Sequence, residues 1–150
     1  MYPLVRIARR NVGLMGMKLL LVEPSILLRE RLAAMLASLG CVEIVESIAV
    51  EDAGQVMRLM QPEIVVMDAR LPDESGCEAL ARARHACPSA CLIVVSSYSS
   101  EPYRKRWLQA GADHFFDLSA QIDLLLNVVR RHDMNIDKRK VVWNSMRVKA

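Results

Sequence analysis

Five short, mainly apolar runs recur along this chain: Leu19–Val22, Val42–Ser47, Ile64–Met67, Leu92–Val95 and Asp113–Phe116. Each is too short for a helix and is bounded by turn residues, so each reads as a strand buried on both faces. Helical stripes lie between them. Leu28, Leu32, Met35, Leu36 and Leu39 share one helical face behind Ser25, a good N-cap, and Gly40 ends that helix. Ala53, Val56, Met57 and Met60 form a second stripe that stops before Pro62. Ser75-x-x-Glu78 is a capping-box pattern opening a third helix, which runs to about Ala86, and Pro88 breaks it. Ser100 caps a fourth helix, with Pro102 in its first turn and Gly111 at its end. Tyr103 and Trp107, one turn apart, read as its inner face. Ser119 is expected to cap a fifth helix with the stripe Ile122, Leu125, Leu126 and Val129. Strands alternating with helices in this way imply an α/β fold. Its five-stranded parallel sheet would be covered by helices on both faces, with right-handed crossovers.

The chain has 150 residues, 53% hydrophobic and 25% charged, which suits one globular domain with a sizeable core and excludes disorder as its general state. No apolar run approaches the roughly 18–20 residues that span a bilayer, and Met1–Arg10 lacks the apolar core of a signal peptide. A cytoplasmic protein without membrane contact is the expectation. Cys41, Cys77, Cys87 and Cys91 form no C-x-x-C pair and His85, His114 and His132 are scattered, so reduced, packing thiols are expected rather than zinc. The net charge of +3 is unevenly spread. Residues 1–16 hold Arg6, Arg9 and Arg10 and no acid, while residues 130–150 hold seven Lys or Arg against two Asp. The stretch between them is acidic. Residues 1–16 therefore read as a disordered extension, 17–130 as the domain, and 131–150 as a basic tail. Such a tail is too short for a core of its own, so no separate output domain is expected. Phosphate attraction alone would draw nucleic acid to these ends, and none is expected as a partner.

Chemistry in open α/β sheets sits at the carboxyl ends of the strands. The residues just past the expected strands are Glu23 and Pro24, Asp68, Ser96, and Asp117 with Leu118. The stretch Ile64-Val-Val-Met-Asp-Ala-Arg-Leu-Pro-Asp-Glu-Ser-Gly76 ends an apolar run in a single carboxylate followed by a turn. Together with Val22-Glu23, Val94-Val-Ser96-Ser and Ala110-Gly-Ala-Asp-His-Phe-Phe, in this order and spacing, it resembles the response-regulator receiver domain of two-component signalling over residues 17–130.

The resemblance implies a flavodoxin-like (βα)5 three-layer sandwich with strand order 2-1-3-4-5. It implies that Asp68 is the phosphoacceptor and that an acidic pair after the first strand holds Mg²⁺, helped by Asp68 and the backbone carbonyl of Arg70. Ser96 would hydrogen-bond the phosphoryl group, and Phe115 would be the aromatic that turns inward with it. A lysine after the fifth strand would form an ion pair with the phosphoryl group. Here the second acid is Pro24, which has no side-chain oxygen, and the lysine position is Leu118. Two of the family's five functional positions are thus chemically disabled, while a transferring phosphoryl group needs its charge offset by metal, lysine and fixed donors.

The expectation is a stand-alone, partly degenerate receiver: a pseudo-receiver that binds proteins, with weak or absent phosphorylation of Asp68 and a weakened Mg²⁺ site. It is not expected to be an enzyme beyond phosphotransfer to itself and dephosphorylation at Asp68. Implied partners are a histidine kinase, a phosphotransfer protein or another signalling protein, with helix 4, strand 5 and helix 5 as the candidate homodimer face. Three alternatives accompany it: a working Mg²⁺-dependent phosphoacceptor, a flavodoxin-like small-molecule binder, and a transcription regulator lacking its DNA-binding domain. The loop Glu23-Pro24-Ser25 lacks the Gly- or Ser/Thr-rich cradle that a small-molecule phosphate site needs.

Overall fold

The computed structural model describes residues 5–8, 16–40, 42–47, 50–70 and 76–132. The elements are β1 (Val5–Ala8), β2 (Met17–Val22), α1 (Ile26–Ala37), β3 (Val42–Ser47), α2 (Val50–Met60), β4 (Ile64–Asp68), α3 (Gly76–Ala86), β5 (Cys91–Ser96), α4 (Glu101–Gln109) and β6 (His114–Asp117). A fifth described helix, α5, spans 122–132. The sheet order is β1-β3-β2-β4-β5-β6. The five strands from β2 onward pair in parallel, in the expected order 2-1-3-4-5 once counted from β2.

Alternation along each strand sends neighbouring side chains to opposite layers. Leu20, Val22, Val65, Met67, Leu92 and Val94 pack with Met57 of α2, Leu80 of α3 and Trp107 of α4. Leu19, Leu21, Ile64, Val66, Ile93 and Val95 pack with Leu32 and Leu36 of α1 and with Leu125 and Val129 of α5. Both faces of the sheet are therefore dry, which is why its strands read as apolar runs rather than alternating ones.

Local chemistry sets the helix ends. Ser25 Oγ accepts the Leu28 N–H at 3.3 Å and Ser100 Oγ accepts that of Tyr103 at 3.4 Å, the two expected caps. Gly40 and Gly111 follow α1 and α4 with φ of +96° and +117°, a backbone region that only glycine enters without strain. The expected cap of the fifth helix is corrected. The Ser119 hydroxyl donates to Asp117 Oδ1 instead, and the backbone N–H of Gln121, just before α5, bonds to the Asp117 carbonyl. Asp117 thus competes for the serine that the sequence assigned to the helix.

The stretch 1–16, expected to lie outside the domain, contributes a sixth strand. β1 pairs antiparallel with β3, from Val5 opposite Ser47 to Ala8 opposite Ile44, and so covers the β3 edge of the sheet. Four residues with no alternating pattern carry little signal of their own, so only the partner edge reveals the strand. The third-helix cap Ser75, the side chain of Cys77 and the basic tail from 133 on lie outside the described residues. Among the described residues no helix is long and apolar enough to cross a membrane.

Arg84 ties the far end of the sheet together. Its guanidinium donates to the carbonyls of Pro88, Ala90 and Gly111 and to Asp113 Oδ2, and that same oxygen accepts the Leu92 N–H at 2.8 Å. Replacing Arg84 with Ala should lower stability by about 1–2 kcal/mol in urea unfolding, because several backbone acceptors lose their donor at once. Arg84→Lys should recover only part of this, since an ammonium lacks the planar fork.

Candidate functional site

The carboxyl edge of the sheet carries the polar groups. Ladder hydrogen bonds run on past the strand ends: Glu23 N–H to the Ser47 carbonyl, Ala69 N–H to that of Val95, and Leu118 N–H to that of Ser96, each at 2.9 Å. They hold residues 23, 68, 96 and 118 side by side on one rim. Glu23, Asp68 and Ser96 are all buried there.

Asp68 closes β4 with its side chain only 2% exposed. Its Oδ1 accepts the backbone N–H of Arg70 at 2.6 Å, and the Arg70 Nε stands 4.0 Å from the same oxygen. The carbonyl of Glu23 is held by Arg29 Nη1 at 2.8 Å, and Arg29 also faces the buried Glu46 at 3.9 Å. Glu23 Oε1 accepts the Ser25 N–H at 3.1 Å, whereas its buried Oε2 has no partner.

Burial first, and then the neighbouring Asp68, push the Glu23 carboxyl up to about 8. A proton on Glu23 meets the orphaned oxygen's need, since its O–H then has Asp68 as acceptor. A cation meets it equally well. The residues therefore fit a Mg²⁺ ion, which the Glu23 and Asp68 carboxylates and the Arg70 carbonyl would hold, and which would supply positive charge to a phosphoryl group. The set is one carboxylate short of the family's, because Pro24 contributes none. Among the described residues no group of three or more His, Cys, Asp or Glu is placed to hold a metal.

Ser96, fully buried at the end of β5, accepts the Tyr98 N–H on its Oγ at 3.0 Å and keeps its own proton to donate. Phe115 is 3% exposed and sits in the α2–α4 layer, with Tyr103 edge-on at a centroid distance of 5.9 Å. Leu118, at the position where the resemblance places a lysine, is partly buried and packs against the opposite layer. The structure thus brings Glu23, Asp68, Arg70 and Ser96 to one rim and leaves Leu118 facing the core.

Two features escaped sequence reasoning. Arg29 and Glu46 brace Glu23 from beneath, and Asp117 gathers Ser99 and Ser119 hydroxyls that hold its carboxyl below the usual range. An Arg six residues beyond Glu23 with a Glu inside an apolar strand was the available signal for the first. Burial disfavours the thiolate in both described free cysteines. Burial, and then Asp113, push Cys91 up to about 11, and burial raises Cys87 likewise.

Comparison with known proteins decides the family. The family model for the response regulator receiver domain matches residues 19–130. This chain belongs to the response regulator receiver family. It is 27% identical to the response regulator GacA of Pseudomonas aeruginosa over 115 residues, 76% of this chain and 54% of that protein. The chain therefore spans about half the length of that relative. In fold it is similar to the signal receiver domain of a LuxO repressor protein from Vibrio parahaemolyticus (TM-score 0.70, 24% identity, 85% of this chain and 97% of that one). It is likewise similar to a Burkholderia pseudomallei response regulator solved with a phosphorylated aspartic acid, calcium ion and citrate (TM-score 0.68, 18% identity, 86% and 75%). Receiver domains are signalling modules of two-component systems, generally without enzymatic activity of their own, and they typically bind Mg²⁺ at the phosphorylation site.

The raised Glu23 carboxyl makes stability depend on pH. Its folded form holds a proton that the unfolded chain has released above its ordinary value of 4.5. Its contribution is therefore full below that value and is lost as pH rises towards about 8. In metal-free buffer, urea midpoints should fall across this window in the wild type. Glu23→Gln should flatten that slope and be the more stable protein at its upper end.

Proposed function

We propose that the protein is an atypical receiver that signals chiefly by binding other proteins, with Asp68 phosphorylated weakly or not at all. Leu118 carries this reading: where a receiver needs a cation for the phosphoryl group, the side chain is apolar and packs against the core. Pro24 adds the loss of a metal ligand on the other side of the pocket. At about 4 Å and an effective dielectric near 20, each such charge contact is on the order of 4 kcal/mol before desolvation. Losing one and weakening another therefore slows transfer and frees Ser96 from its link to the phosphoryl oxygen.

Partners on this reading are a histidine kinase, a phosphotransfer protein or another signalling protein. α4, β6 and α5 form the candidate face for a partner or a second copy. Membership of the receiver family leaves the small-molecule alternative without support. The working-phosphoacceptor alternative keeps one observation in its favour, the orphaned Glu23 Oε2 beside Asp68.

Acetyl phosphate with millimolar Mg²⁺ separates the two. In the reaction an Asp68 carboxylate oxygen attacks phosphorus, the bridging P–O bond breaks, and acetate leaves with the bonding pair. Intact mass should show substoichiometric labelling of the wild type. Pro24→Asp with Leu118→Lys should raise the labelling rate roughly tenfold or more, the equivalent of about 1.4 kcal/mol of transition-state stabilisation. Stoichiometric labelling of the wild type at Asp68 would sink the atypical reading in favour of the working phosphoacceptor.

A further inference from the structure

With Leu118 apolar, the cation paired with Asp68 among the described residues is Arg70. Its backbone N–H anchors residue 70 to Asp68 Oδ1, and its guanidinium Nε stands 4.0 Å from that oxygen. The Asp68 side chain is 2% exposed and that of Arg70 65%, so the cation lies at the pocket mouth above a dry carboxylate. Arg29 approaches from below, but its Nη1 is engaged by the Glu23 carbonyl and its Nε faces Glu46.

We propose that Arg70 is the resident counter-ion of this pocket, supplying the positive charge that Leu118 cannot and competing with a divalent cation for the Asp68–Glu23 pair. The inference rests on the reading of the rim as a receiver pocket that lacks its lysine and one acid. The backbone bond from Arg70 N–H to Asp68 holds the residue next to the carboxylate, and its guanidinium Nε stands 4.0 Å away. A like charge so close weakens binding of a divalent ion, by roughly threefold to tenfold once water and salt screen it. The same charge opposes the accumulation of negative charge when an anionic group sits on Asp68. The pocket is then partly neutralised from within the chain, and its demand for metal is reduced.

Mn²⁺ binding to the whole chain, followed by electron paramagnetic resonance, tests this. Arg70→Gln should tighten Mn²⁺ by threefold to tenfold, while Arg70→Lys should stay within about twofold of the wild type. Arg104→Gln removes an equal charge on α4, where Arg104 pairs with Glu101, and should change nothing. Adding Asp68→Asn to Arg70→Gln should abolish the gained affinity and so locate it in this pocket. Equal affinity of Arg70→Gln and wild type, or no binding by either, overturns the proposal. So does an Arg70→Lys protein that behaves like Arg70→Gln, or gained binding that survives Asp68→Asn. Acetyl phosphate labelling of the wild type decides the receiver reading separately, so failure of one is told apart from failure of the other.

Discussion

A parallel sheet with helices on both faces has no wet side, and this constraint organises the molecule. The buried runs Leu19–Val22 of β2, Ile64–Met67 of β4 and Leu92–Val95 of β5 are accordingly all apolar. Buried polar groups gather at the carboxyl ends of the strands, where Glu23, Asp68 and Ser96 stand together on one rim. The rim is still buried, so each group there needs a partner. Ser96 has the Tyr98 N–H and Asp68 has the Arg70 N–H, while half of Glu23 has none.

That residual need makes the rim a site. Two carboxylates in a dry place repel, and something positive must settle between or beside them: a proton, a metal ion or a neighbouring side chain. In a receiver with its full set, metal and lysine share this task. Here Pro24 offers no side-chain oxygen and Leu118 no charge, while burial raises the Glu23 carboxyl and the Arg70 guanidinium stands 4.0 Å from Asp68.

The apolar periodicity made most of the fold legible. Runs of four to six residues separated by stripes such as Leu28–Leu32–Leu36 announce both the element and its buried face, and the caps Ser25 and Ser100 appear as expected. β1 was invisible because a short edge strand is defined by its neighbour rather than by its own pattern. Ser119 misled because a serine before an apolar stripe looks like a cap whether or not a nearer carboxylate takes its hydroxyl.

The identities of Glu23, Asp68, Pro24 and Leu118 were readable without coordinates, since a proline has no side-chain oxygen to give and a leucine no charge wherever they sit. Which residues stand against them was not readable, because that depends on distance and burial across elements far apart in sequence. Only the folded sheet sets Arg29 beneath the Glu23 carbonyl and against Glu46, and strands Glu23 Oε2 without a partner. The chain by itself determined the family, because the order and spacing of the strand-end residues survive in the sequence alone. The tertiary structure decided which of these groups are buried together and which atom lacks a partner, because electrostatic need arises only after water has been excluded.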